Sequence, residues 1–182
     1  MARVSERLGL RPGDVFVVDG GTWFDNLIEW FQTIWGNGRT WARWSHTGVI
    51  VDASGRILET TSWRTGYRSL AEHYAGSRIK ILRWPGMTPD LARDGLACVA
   101  DQVGRVYPYW RLLAHALGLE ARLHGRAMDC TTLAASVLQA AGLALAMTPW
   151  AYGPRELADE MEARGCAVVF NGRLRAAGYI EE

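Results

Sequence analysis

The sequence is poor in cysteine, and it has neither a long apolar run nor a large excess of one charge. Its three cysteines are an odd number at wide spacing, which provides no disulfide framework and no paired-cysteine metal site: Cys98, Cys130 and Cys166. We therefore expect a reducing compartment. No run of about 18 apolar residues is present, which predicts no transmembrane segment, and residues 1–10 do not resemble a signal peptide. A cytoplasmic or a phage-associated protein is compatible with these absences.

The balance of charge and the length of the chain exclude further classes of protein. Twenty basic residues against nineteen acidic ones leave a net charge of +1. We therefore predict no nucleic-acid partner of the kind that depends on a large basic excess. The length of 182 residues and the hydrophobic content of 49% suit one globular domain, which we expect to span residues 1–182. The oligomeric state is left open.

Hydrophobic patterning predicts an α+β fold. Short apolar runs bounded by turn residues predict strands at 15–18, 46–51, 56–61, 79–83 and 167–170. Helical spacing and capping residues predict helices at 23–35, 88–103, 130–141 and 154–164, and a further helical region around 108–118. The order of these elements favours a mostly antiparallel sheet that packs against the helices.

The predicted β-hairpin brings a histidine next to a glutamate. If the turn lies at residues 52–55, Gly48 faces Glu59, and His46 lies diagonally from Glu59 on the same face, roughly 7–8 Å away between backbones. Gly48 is expected to leave space between the two side chains. A carboxylate that is hydrogen-bonded to an imidazole orients the ring and stabilises its charged form, as the third member of a catalytic triad does. The alternative is an incidental ion pair on a surface strand.

The remaining histidines are expected to be exposed or structural, without such a partner: His73, His115 and His124.

Cys130 stands at the start of a predicted helix of small residues. Asp129 is expected to cap this helix, and Gly142 to end it. A thiol at a helix N-terminus feels the positive end of the helix dipole, so we expect a lowered pKa and a reactive thiolate. The backbone N–H of Cys130 can also donate to a developing oxyanion. The alternative is a buried small apolar residue, which is our interpretation of Cys98 and Cys166.

Seven short segments, in order along the chain, resemble the circularly permuted branch of the NlpC/P60 papain-like superfamily, the YiiX/YebB-like cysteine peptidases and amidases. They lie at residues 11–15, 24–31, 44–51, 57–61, 103–107, 129–138 and 148–149. The most informative are Trp-Ser-His-Thr-Gly-Val-Ile-Val around His46 and Asp-Cys-Thr-Thr-Leu-Ala-Ala-Ser around Cys130. The resemblance implies a permuted papain-like fold, in which the histidine precedes the cysteine.

The resemblance also implies a function and a set of site residues. Cys130 corresponds to the nucleophile, His46 to the general base and Glu59 to the orienting residue. The implied activity is a thiol hydrolase that cleaves an amide or peptide bond, with a small molecule or a peptide as substrate and bacterial cell-wall peptide as one candidate. No metal and no organic cofactor are implied. The nearby aromatic residues are expected in the core, with a cleft wall as the alternative: Trp44, Trp63 and Tyr67.

Two other functions stay open on the sequence alone. An acyltransferase or lipid esterase on the same fold would use the same three residues, and its acyl-enzyme would pass to an added amine or alcohol rather than to water. A catalytically silent binding or structural module, for instance in a phage particle, would keep the fold without turnover. The intact set of Cys130, His46 and Glu59 favours an enzyme over such a module.

Overall fold

The computed structural model describes residues 8–19, 44–61, 63–106 and 128–174, together with the backbone of residues 180–181. The strands in this part are β1 (Val15–Asp19), β2 (His46–Ile50), β3 (Arg56–Thr60), β4 (Thr65–Ser69), β5 (Arg78–Arg83), β6 (Ala167–Leu174) and β7 (Ile180–Glu181). The α-helices are α1 (Leu70–His73), α2 (Pro89–Cys98), α3 (Cys130–Ala140) and α4 (Pro154–Ala163), with short 3-10 helices at Ala100–Gln102 and Pro149–Ala151. The predicted helix at 23–35 and the helical region around 108–118 lie outside the described residues.

The strands form one sheet, in the order β4-β3-β2-β1-β5-β6-β7, and every pair of neighbours is antiparallel. The predicted α+β class with a mostly antiparallel sheet is thus confirmed. The sequence did not predict β4, whose residues Thr-Gly-Tyr-Arg-Ser lack an apolar alternation, or the two-residue β7. Strand β6 runs on to Leu174 instead of ending at Phe170, because its polar second half still pairs with β5, up to Arg173 opposite Arg78.

The sheet separates two hydrophobic cores. Helices α3 and α4 cover one face, against Val15, Val17, Val49, Leu58 and Leu82. The other face carries Phe16, Val18, Ile50, Ile57, Ile79 and Ile81, and α1 adds Leu70 to it. Because side chains alternate along a strand, His46 shares the second face with Ile50, whereas the helix that begins at Cys130 packs on the first. The two residues can therefore meet only at the end of the sheet, where β2 begins.

The predicted caps position the helices on the first face. The side chain of Asp129 accepts a hydrogen bond from the N–H of Thr132 at 2.7 Å, and that of Thr88 accepts one from Leu91 at 3.2 Å. Each such cap contributes about 1 kcal/mol. Helix α2 ends at Cys98 and tightens into 3-10 geometry, whereas a single helix was expected as far as residue 103.

Helix α2 packs directly on the backbone of α3. A Cβ added to Gly95 would lie 2.6 Å from the carbonyl oxygen of Val137, so only glycine permits this approach. Helix α3 thus contacts α2 as well as strands β2 and β3. Among the described residues, no helix combines the length and the apolar content that crossing a bilayer requires.

The turn before β1 is tied to β5 by a buried ion pair. Asp14 is 1% exposed, and its two carboxylate oxygens accept from Nε and Nη2 of Arg83 at 2.8 and 2.7 Å. The N–H of Asp14 donates to the carbonyl of Arg11 at 3.1 Å, which closes a turn over residues 11–14. This bidentate contact fixes the start of the central strand on which the site depends.

Candidate active site

The hairpin register brings His46 and Glu59 together as predicted. Val49 faces Leu58, which is the register that a turn at residues 52–55 imposes. The Nε2 atom of His46 lies 2.9 Å from Oε2 of Glu59. The expected histidine–glutamate contact is therefore present.

Gly48 makes room for an aromatic ring. A Cβ at this position would lie 2.7 Å from two carbons of the Phe16 ring and 2.9 Å from the carbonyl oxygen of Leu58. The Phe16 ring in turn packs against Tyr74, with 5.5 Å between the ring centroids. The expectation that Gly48 leaves open space between His46 and Glu59 is thus wrong, because Phe16 occupies the space beside this glycine.

Glu59 is fully buried, and polar partners from β4 and the end of α1 surround its carboxylate. The hydroxyl of Tyr74 donates to Oε2, the oxygen that also faces His46. The Nε atom of Arg68 lies 2.9 Å from Oε1 without the alignment of a hydrogen bond, so this contact is an ion pair. Nε2 of His73 lies 3.5 Å from the same oxygen. A buried carboxylate requires such compensation.

The sequence alone did not predict these partners of Glu59. His73 was expected to have no such partner, and its contact with Glu59 corrects that expectation. Arg68 lies opposite Ile57 in the pairing of β3 with β4. A correct prediction of β4 would have placed Arg68 on the face of Glu59, because Ile57 and Glu59 share that face.

Cys130 is the first residue of α3 and is partly exposed. The helix that it begins packs against β2, and Cys130 lies close enough to His46 for its charge to raise the pKa of the imidazole. Because Nε2 of His46 faces Glu59, Nδ1 is the ring nitrogen left for the thiol. The first N–H groups of a helix have no acceptor inside the helix, so the backbone N–H of Cys130 can donate to an anion formed beside the sulfur.

The electrostatics of the site favour a protonated His46 at neutral pH. Burial lowers the pKa of His46, but the charge and hydrogen bond of Cys130, followed by those of Glu59, outweigh burial and raise the pKa from 6.5 to about 10. Burial raises the pKa of Glu59, but His46, Tyr74 and His73 outweigh it, so the net shift is downward. The imidazolium and the carboxylate therefore coexist across the neutral range.

The other two cysteines differ from Cys130 in their surroundings. Cys166 is buried as expected, and burial raises its pKa to about 11. Cys98 was expected to be buried but is exposed, because α2 presents it at the end of the helix. Partial desolvation and the nearby Asp101 raise the pKa of Cys98, which disfavours its thiolate.

The aromatic residues near the site divide between core and surface. Trp44 is 5% exposed and belongs to the core on the side of α3, as expected. Trp63 and Tyr67 are 79% and 46% exposed, so the expectation of core packing is wrong for both. The guanidinium of Arg56 stacks over the ring of Tyr67, 4.7 Å from its centroid.

In comparisons with known proteins, no family model matches the sequence, and no curated protein matches it. In the part of the chain that the structure describes, no group of three or more His, Cys, Asp or Glu side chains is arranged to hold a metal ion.

Proposed function

We propose that this protein is a cysteine-dependent hydrolase that cleaves an amide or peptide bond through a thioester. Cys130 is the nucleophile, His46 transfers the proton, and Glu59 orients the imidazole. The observation that carries the proposal is the arrangement of three groups: a partly exposed thiol at the start of α3, which packs against β2, a histidine at the start of β2, and a buried carboxylate 2.9 Å from that histidine. Nucleophilic catalysis by a thiol commonly uses a nucleophile, a base beside it and a third group that orients the base.

We also infer that the chain is a circularly permuted member of the NlpC/P60 papain-like superfamily, related to the YiiX/YebB-like peptidases and amidases. Two features support this inference beside the sequence segments named above. The histidine strand β2 precedes the cysteine helix α3 in the chain, and α3 packs against β2 and β3.

The first half of the reaction forms the thioester. His46 takes the proton of Cys130, which leaves a thiolate beside an imidazolium. The sulfur attacks the carbonyl carbon, and the oxyanion that results accepts a hydrogen bond from the backbone N–H of Cys130. His46 then gives its proton to the amide nitrogen, the C–N bond breaks, and the amine leaves.

The second half hydrolyses the thioester, and for this step His46 must act as a base. The charge of Cys130 is the largest factor that raises the pKa of His46, and the thioester removes that charge. The pKa of His46 therefore falls once the acyl-enzyme forms, and the neutral imidazole can take a proton from water. Water attacks the thioester carbon, the C–S bond breaks, and the thiolate–imidazolium pair is restored with release of the acid.

The substrate class that fits this chemistry is a peptide or an aminoacyl amide, with bacterial cell-wall peptide as one candidate. Cleavage of cell-wall peptide fragments by the wild-type protein, and its loss in the Cys130→Ala variant, is the expected result for that candidate. Mass spectrometry of the fragments identifies the bond that is cleaved.

Selective alkylation tests the proposal without a known substrate. Iodoacetamide labelling across pH, with mapping of the modified cysteine, should modify Cys130 preferentially below pH 7, and the His46→Ala variant should lose this preference. Cys98 is the internal control, because it is exposed but has a raised pKa. Equal modification of Cys98 and Cys130, or an unmodified Cys130, would contradict the proposal.

A further inference from the structure

The Glu59 carboxylate poses an electrostatic problem for the proposed reaction. Its side chain is 0% exposed, and an uncompensated charge in such a place is strongly unfavourable. His46 compensates Glu59 only while the ring is protonated. Each time His46 gives its proton to a leaving amine, the carboxylate loses that counter-charge.

Arg68 supplies a positive charge that does not change during the reaction. A guanidinium stays protonated at any pH at which the protein is folded. Its Nε lies 2.9 Å from Oε1 of Glu59, and its Nη2 donates to Oγ1 of Thr61 at 2.9 Å. The guanidinium is thus fixed between two groups at the end of β3, on the carboxylate oxygen that His46 does not use.

The other two partners of Glu59 compensate its charge less directly than Arg68 does. His73 lies farther away, at 3.5 Å, and its side chain is 43% exposed, so solvent weakens this contact. Tyr74 donates a hydrogen bond to Oε2 but carries no positive charge. Tyr74 therefore orients the carboxylate, whereas Arg68 neutralises it.

We propose that Arg68 is a positioning residue for the Cys130–His46–Glu59 triad. Its guanidinium keeps Glu59 ionised and holds Oε1, so that Oε2 stays on His46 both before and after the proton is transferred. This role rests on the proposed function, since it matters only if the charge of His46 changes during a reaction.

The test compares two substitutions of Arg68 with a matched substitution of Arg56. Arg68→Met removes the charge, and Arg68→Lys keeps it. Arg56→Met removes a charge from the same pair of strands, where the side chain is 53% exposed and faces Asp52 at 3.5 Å rather than Glu59. The measurement is the rate of iodoacetamide modification of Cys130 between pH 4 and pH 9, with circular dichroism to confirm folding.

Without the guanidinium, buried Glu59 takes up a proton at a higher pH, and His46 loses its charged partner. The rise of Cys130 reactivity should then move upward by about one pH unit in Arg68→Met and return close to the wild-type position in Arg68→Lys. Arg56→Met should leave it in place. In the described part of the chain, the titratable groups that face His46 and Glu59 are Cys130 from α3, and His73 and Tyr74 at the end of α1.

Three results would overturn the role of Arg68: an unmoved profile in folded Arg68→Met, an equal shift in Arg56→Met, or an Arg68→Lys profile that matches Arg68→Met. If Arg68→Met does not fold, Thr61→Val loosens the guanidinium without removing it, and it should produce a smaller upward shift; no shift would again overturn the proposal. If His46→Ala left the reactivity of Cys130 unchanged, the proposed function itself would be contradicted. The two failures are therefore distinguishable.

Discussion

Replacement of Glu59 by glutamine removes the charge that faces His46 while keeping the shape of the side chain. The carboxylate lies 2.9 Å from Nε2 and is closed to solvent. Two unit charges about 4 Å apart at an effective dielectric constant near 20 interact by roughly 4 kcal/mol, and one pKa unit corresponds to about 1.4 kcal/mol. We therefore expect the pKa of His46 to fall by about 2–3 units from its value of about 10 in Glu59→Gln.

The assay is a histidine NMR titration of the wild-type and Glu59→Gln proteins, with His46→Ala to assign the resonance.

The free energy of unfolding should change over the same pH range in which His46 titrates. His46 has a raised folded pKa, so its contribution to the free energy of unfolding is fully present below pH 6.5 and is lost as pH rises towards about 10. In Glu59→Gln most of this alkaline loss should disappear. Glu59, whose folded pKa is lowered from 4.5, contributes stability above pH 4.5 that is lost at lower pH.

One outcome would refute this reasoning directly. If His46 in a folded Glu59→Gln variant still titrates near pH 10, Glu59 does not stabilise the imidazolium, and the 2.9 Å contact has no electrostatic consequence. Ser54→Ala is a suitable control, because Ser54 belongs to the same hairpin and its hydroxyl donates to Asp52 rather than to the site. It should leave the His46 titration unchanged.

Two further predictions concern the scaffold of the site. Gly48→Ala should lower the free energy of unfolding by about 1–3 kcal/mol, because the new methyl group overlaps the Phe16 ring; urea denaturation measures this, and an unchanged midpoint would contradict the packing described. Asp14→Asn should cost about 3 kcal/mol, since it leaves a partly buried Arg83 without its carboxylate, and should lower the thermal midpoint by roughly 6–12 °C. A scanning-calorimetry midpoint within about 2 °C of wild type would show that this ion pair does not hold the turn.

The sequence predicted the parts of the fold that depend on local chemistry. The hairpin register follows from the length of its turn, and this register alone is enough to place Glu59 beside His46. The starts of α2, α3 and α4 follow from Thr88, Asp129 and Pro154, because a cap or an initial proline acts on its own first turn. Such signals lie within a few residues of the structure that they determine.

The features that the sequence did not predict depend on contacts between distant segments of the chain. Strand β4 has no apolar alternation, since one side of this edge strand faces solvent and its residues serve polar contacts instead. Without β4, neither Arg68 nor the residues that follow it could be placed near Glu59. The exposure of Cys98 likewise depends on where α2 ends, which the spacing of apolar residues does not determine.

The proposed site contains two pairs of residues, and Arg68 is the one member of the four that the sequence did not predict. In the proposed mechanism, Cys130 and His46, contributed by α3 and β2, form a charged pair that is lost in the acyl-enzyme. Glu59 and Arg68, contributed by β3 and β4, form a second pair whose charges stay fixed. Because each pair is neutral by itself, His46 can give its proton to the leaving amine without leaving an unbalanced charge in the buried second pair. Cys130, His46 and Glu59 provide the chemistry of the proposed site, and Arg68 of the edge strand β4 compensates the charge of the buried Glu59 carboxylate.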